Sequence, residues 1–175
     1  MKEMIRYGVT LAVICIIAAG LLAGVNSLTK SRIIAQAQTE EEASLKEVLP
    51  QATRFEAKKS GNDILYYKAF DKEGKLIGAA FKASGKGYSS DIATMVGMLR
   101  DGTIIAIKVL SQNETPGLGA RVTETGFSGQ FNNKKTSDLD SVQAITGATI
   151  SSKAVIDSVR KKAEEIKTLI EYDKK

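Results

Sequence analysis

No charged residue occurs between Arg6 and Lys30, and within that interval Val9 to Val25 is almost wholly Val, Leu, Ile, Ala and Gly. A helix of roughly 20 apolar residues, rising about 1.5 Å per residue, spans the hydrocarbon core of a bilayer. The chain is therefore expected to cross the membrane once and to fold everything else outside the lipid. A cleaved secretory signal is the alternative. It fits less well, because the run exceeds the ~7–15 apolar residues of a signal and no small-x-small cleavage site follows it. Cys15 lies in the middle of the run, the wrong place for a lipid-modified N-terminus.

Lys2 and Arg6 precede the span and Lys30 and Arg32 follow it, close to a tie under the positive-inside rule. Long downstream domains translocate largely regardless of flanking charge. The expected arrangement is a single pass through the cell membrane, with a cytoplasmic N-terminus and an extracytoplasmic domain. The 175 residues allow one ordinary domain besides the anchor. The expected division is an anchor over 1–29, a helical stalk over 30–49 and the domain over 50–175. The stalk is charged, rich in Ala, Gln and Glu, and free of Gly and Pro until Pro50.

Composition removes several chemistries. The chain has no His, the commonest general base and metal ligand, and no metal site is expected. Its one Cys lies in the span, so the domain has neither disulfide nor thiol chemistry. The net charge is +5, concentrated in Arg160-Lys161-Lys162 and Lys174-Lys175. Such runs fit a solvated helix face or a tail against anionic lipid. They are not interleaved with aromatics, so no nucleic acid partner is expected.

Along the domain, Ile64–Phe70 reads as a strand, Asp71–Lys75 as a turn and Leu76–Ala83 as the returning strand. Ser84–Ser90 reads as a loop. Ile92–Leu99 and Thr103–Leu110 flank Arg100-Asp101-Gly102, a strong hairpin signal. A short helix is expected around Ala120–Thr125, then an irregular polar stretch over Gly126–Asp140 anchored by Phe127 and Phe131. Val142–Ile145 reads as a short apolar strand. Val155, Ile156, Val159, Ala163, Ile166, Leu169 and Ile170 recur at three- and four-residue spacing, one stripe of a helix over Ser152–Tyr172. Ser151 or Ser152 would be its N-cap. Strands first and a helix last predict an α+β class.

Two stretches carry the chemistry. Thr146-Gly147-Ala148-Thr149-Ile150-Ser151-Ser152 joins an apolar segment to the last helix. It is either a plain strand-to-helix connection or an anion site, since a helix N-terminus presents free N–H groups and the positive end of the macrodipole to a phosphate. Thr149 would lie against that phosphate or be bonded to it. Glu114-Thr115-Pro116-Gly117-Leu118-Gly119 is either a plain turn or the wall of a pocket for a flat ligand. There Glu114 and Thr115 would offer polar contacts, and Gly117 and Gly119 close backbone approach.

Together these stretches resemble the FMN-binding G subunit of the Rnf ion-translocating oxidoreductase, and the related C subunit of the sodium-translocating NADH:quinone reductase. The resemblance covers nearly the whole chain. It takes in the membrane helix, Val48-Leu49-Pro50, Gly87-Tyr88, Val96-Gly97, Asp101-Gly102-Thr103-Ile104, Glu114–Gly119 and Thr146–Val155. It implies an exported, hairpin-rich FMN-binding domain closed by a C-terminal helix. It implies FMN carried as a phosphoester on Thr149, attached from FAD by a separate flavin transferase. The cofactor-binding residues it marks are Thr146, Gly147, Ala148, Thr149, Ser151, Ser152, Glu114, Thr115, Gly117, Leu118 and Gly119. The family's attachment motif often has an acidic residue three positions before its Ser/Thr. Gln143 stands there, with Asp140 three residues earlier.

The implied role is an electron relay, with no catalytic residue on the isolated chain. The chain has no nucleotide-fold signature and no iron–sulfur cysteines, so partner membrane and iron–sulfur subunits would carry ferredoxin and NAD chemistry and ion movement. Two alternatives remain at this point. One is a covalent-FMN carrier of another membrane chain, such as the quinone reductase or extracellular electron transfer. The other is a non-redox exported binding domain.

Overall fold

The computed structural model describes residues 2–61 and 63–172. Helix α1 runs Lys2–Val48 without a break, and the chain divides at Glu40/Glu41 into two units. In the first unit the apolar side chains are all exposed; Ile16, Leu22 and Leu28 are 71%, 71% and 78% exposed. A helix with such a surface is long and apolar enough to cross a bilayer, where every polar group must be satisfied within the segment. Thr10 and Thr29 obey this, each donating its hydroxyl to the carbonyl four residues back, Arg6 and Val25, at 2.9 Å.

The second unit contains one antiparallel sheet. Its strands are β1 (Arg54–Ser60), β2 (Asp63–Phe70), β3 (Leu76–Lys86), β4 (Asp91–Leu99), β5 (Thr103–Ser111) and β6 (Lys134–Lys135), ordered as in the chain. A 3₁₀ turn (Gly119–Thr123), the short α2 (Thr125–Ser128) and two more 3₁₀ turns (Gly129–Phe131, Thr136–Ser141) lie between β5 and α3 (Thr149–Tyr172). The class is α+β, as the order of elements predicted.

Because side chains alternate along a strand, the sheet has two apolar faces. Phe81, Val96, Met98 and Ile104 pack with Val155, Val159 and Ile166 of α3. The stripe predicted for the last helix is thus its buried face. Phe127 and Phe131 close the same core, their rings edge to face with centroids 5.5 Å apart. On the opposite face Ala69, Ala80 and Met95 receive Leu45 and Val48 from the end of α1 and Leu49 just after it. Two strand positions leave room for these helices. A Cβ on Gly85 would stand 2.2 Å from the Ala154 carbonyl oxygen, and one on Gly97 would stand 2.2 Å from that of Val48. At the base of α1, Glu41 accepts hydrogen bonds from Tyr67 (2.9 Å) and Lys82 (3.1 Å). Burial, and then the Glu41 carboxylate, push the Tyr67 phenol up to about 12.

Several expectations are corrected. Residues 54–60 form a strand that the sequence did not announce. β3 continues through Ser84–Lys86, because Gly85 serves helix packing and not a turn. The helix expected over Ala120–Thr125 is a 3₁₀ turn followed by α2. Val142–Ile145 pairs with no strand. The last helix begins at Thr149, and neither Ser151 nor Ser152 is its N-cap. Lys174-Lys175 lies outside the described residues.

Candidate functional site

The chain enters α3 through Gly147, whose φ of +82° turns it sharply. Ala148 N–H donates to the Ile145 carbonyl at 2.9 Å, and Ser152 N–H donates to the Ala148 carbonyl at 2.9 Å. That second bond is the first of the helical ladder, so the N–H groups of Thr149, Ile150 and Ser151 precede it. Ala148 has no side chain with which to cap them. Both serines look elsewhere. Ser152 is fully buried; its hydroxyl accepts Ile145 N–H at 3.0 Å and donates to the Ala148 carbonyl at 2.9 Å. Ser151, 2% exposed, donates its hydroxyl to Glu114 Oε2 at 2.6 Å.

Glu114 organises the opposite side. It is 5% exposed, and its carboxylate accepts the main-chain N–H groups of Tyr88, Ser89 and Ser90 at 2.9–3.1 Å. Ser90 adds its hydroxyl at 3.4 Å and accepts Asn113 N–H at 2.8 Å. Burial pushes the Glu114 carboxyl up. The hydrogen bonds from Ser151 and the three N–H groups outweigh that and hold it below the usual carboxylate range. One buried charge therefore ties the β3–β4 turn, the 114–119 loop and the start of α3 together.

Between these walls lies a cavity of about 410 Å³. Of the residues predicted from sequence, Glu114, Thr115, Leu118, Gly119, Gly147, Ala148, Thr149 and Ser151 line it. Thr149 is exposed, and among the described residues its hydroxyl has no hydrogen-bond partner. Three predicted residues are not brought to the cavity. Thr146 faces a separate depression beside Gln130 and Gln143, Ser152 is buried in the helix start, and Gly117 sits in the open turn. Glu114 lines the cavity, but protein donors already occupy its carboxylate.

Two lining residues were missed, Tyr88 and Ile150. With Leu118 they are 74%, 55% and 49% exposed, an apolar rim around a polar floor. A signal existed for both, since each lies inside a stretch that carries the family resemblance. Asp140, the nearest acidic residue before the motif, is paired with Arg160 of α3 at 2.5 Å.

A family profile described as the FMN-binding domain matches residues 87–164, and one described as the RnfG N-terminal region matches residues 1–48. A G subunit of an ion-translocating oxidoreductase complex from Methanosarcina acetivorans is 38% identical, with 90% of this chain and 92% of that one covered. The chain belongs to the RnfG family. Another RnfG-family relative is the G subunit of the proton-translocating ferredoxin:NAD(+) oxidoreductase complex of Clostridium ljungdahlii. It is 33% identical over 90% of this chain and 89% of its own. The G subunit of the Na(+)-translocating ferredoxin:NAD(+) oxidoreductase complex of Acetobacterium woodii is 30% identical over the same shares.

The matched FMN-binding domain spans both walls of the cavity, from Tyr88 to Ser151. The residues present fit FMN in three respects. The rim is apolar, as a flat aromatic ring system requires. The N–H groups that open α3 suit a phosphate. The hydroxyl on the first residue of that helix is unpartnered. With its apolar N-terminal helix, this RnfG-family chain is a membrane-anchored FMN-binding protein.

Proposed function

We propose that this chain is the electron-relay subunit of an ion-translocating ferredoxin:NAD oxidoreductase, carrying FMN on Thr149 through a phosphoester on the extracytoplasmic side. The names of the Clostridium and Acetobacterium relatives support the assignment to such a complex. Those two relatives are named for different coupling ions, a difference consistent with ion choice residing in other subunits. Partner subunits of the membrane and iron–sulfur kinds would supply and remove electrons.

The observation that carries the covalent part is the Thr149 hydroxyl: exposed, without a protein partner, and beside main-chain N–H groups on the first turn of α3. In attachment, Thr149 Oγ1 forms a bond to the flavin-side phosphorus of FAD while the pyrophosphate P–O bond breaks and AMP leaves. The threonine proton goes to the flavin transferase. This chain has no His, and the Glu114 oxygens are held by five donors, so neither provides a base. Bound FMN supplies one- and two-electron transfer at its ring system. The protein tethers, orients and shields: Thr149 fixes the phosphate, and Tyr88, Leu118 and Ile150 keep water from an apolar surface.

The test is in-gel flavin fluorescence of the denatured full-length chain, exported and co-expressed with a flavin transferase. The wild type is expected to fluoresce, Thr149→Val to be dark and Thr146→Val to remain bright. A dark wild-type band, with the transferase active on another acceptor, would overturn the covalent assignment.

A further inference from the structure

The segment leading into α3 is held in an unusual way. Residues 142–148 belong to no strand, yet their main chain is fixed by two side chains from elsewhere. Gln130 Oε1 accepts Gln143 N–H at 2.8 Å, and its Nε2 donates to the Gln143 carbonyl at 3.3 Å. One side-chain amide thus pairs with both main-chain groups of one residue, as an adjacent strand would. The same Nε2 donates to the Gly126 carbonyl at 3.4 Å, which fixes the amide plane. Ser152 holds the N–H of Ile145, two residues on.

Gln130 is well placed for this. It lies in the Gly129–Phe131 3₁₀ turn, between buried Phe127 and Phe131, so its backbone is anchored in the core. The Gln143 side chain is exposed and free of these bonds. The strap therefore presents side chains to solvent along a main chain whose path is set beforehand.

We infer that Gln130 is a positioning residue for modification of Thr149, an inference that rests on the covalent reading above. An enzyme that modifies Thr149 must grip the residues before it. A strap already held in shape loses less conformational freedom when gripped than a loose one. The reacting hydroxyl sits on α3, whose first turn is braced separately by Ser152 and by the Ser151–Glu114 bond. Loosening the strap thus weakens recognition and leaves the reacting geometry intact.

The experiment uses the full-length chain in detergent with purified flavin transferase and FAD, reading covalent fluorescence against acceptor concentration. Gln130→Met keeps the bulk and removes all three side-chain hydrogen bonds; Gln130→Glu keeps the acceptor for Gln143 N–H. Gln130→Met is expected to raise the KM for the acceptor chain about fivefold with kcat unchanged, the signature of lost uniform binding. Gln130→Glu is expected to fall between it and the wild type. In the flavin-free chain, Gln143 amide exchange is expected to quicken about tenfold in Gln130→Met, with the thermal midpoint nearly unchanged. A KM equal to wild type, an unchanged Gln143 exchange rate, or a kcat loss that follows the thermal midpoint each overturns the inference. A wild type that accepts no flavin from an active transferase overturns the covalent reading and this inference with it.

Discussion

The Glu114 wall of the cavity and the strap that leads into α3, residues 143–148, are built by different physics. The Glu114 wall rests on a buried charge that accepts donors from two other segments, the 88–90 turn and the start of α3. The strap over residues 143–148 rests on neutral hydrogen bonds from Gln130 and Ser152. Charge-assisted bonds are roughly twice as strong as neutral ones, so the wall is fixed and the strap is lightly held. The division leaves the cavity rigid and the chain that enters it lightly held.

The largest expected effect lies on the charged wall. Glu114→Ala leaves three main-chain N–H groups and the Ser151 hydroxyl without their acceptor. It is expected to cost about 3 kcal/mol in denaturant unfolding of the full-length chain. The carboxyl is depressed in the folded state, so its contribution is complete above the ordinary glutamate pKa of about 4.3 and is lost as pH falls through the lower folded value. Unfolding measured downward from pH about 5 should show that loss in the wild type and a flatter profile in Glu114→Gln. An unchanged slope would mean that the charge is not what holds this wall.

Next comes the packing around that charge. A Cβ on Gly119 would stand 2.6 Å from Ser151 Oγ and 2.7 Å from Glu114 Oε2, and neither partner is free to retreat. Gly119→Ala is expected to cost about 2 kcal/mol by overpacking. If the wall is as rigid as its hydrogen bonds imply, Gly119→Ala should also lower the yield of covalent flavin, since both partners line the cavity. A stable variant with normal flavin yield would show that the wall yields.

How far the sequence displayed this arrangement follows the same division. The membrane helix, the hairpins around Asp101-Gly102 and the apolar stripe of α3 were legible, because each is a periodic pattern with one physical meaning. So was the pairing of the 114–119 loop with the Thr146–Ser152 turn, through the family resemblance. β1 was not, because Arg54–Ser60 is a largely exposed edge strand with no apolar alternation. Ser84–Lys86 reads as a loop because a glycine needed for helix approach looks the same as one needed for a turn. The serines of α3 read as caps, but a cap depends on where the helix begins, and here Gly147 starts it earlier. Gln130 was invisible: its partner is 13 residues away, and a lone glutamine announces nothing.

The smallest predicted effect separates the wall from the strap most cleanly, because a glycine in each is required for a different reason. Gly119 is not in the left-handed region and is needed for space; Gly147 is at φ +82°, and the atom nearest an added Cβ is Leu118 Cδ2 at an ordinary 3.6 Å. Gly147→Ala should therefore meet no clash and suffer only the dihedral cost of a left-handed L-residue, about 1 kcal/mol. Relief is also available to it, because the strap can shift against its neutral hydrogen bonds. The expected outcome is a small loss of stability, with quickened amide exchange confined to residues 143–148. Glu114, Ser151 and the loop they brace should keep their wild-type exchange rates. Loss of protection that spreads to Tyr88–Ser90 would mean that wall and strap are one cooperative unit, and that the lightly held strap is carried by the buried charge after all.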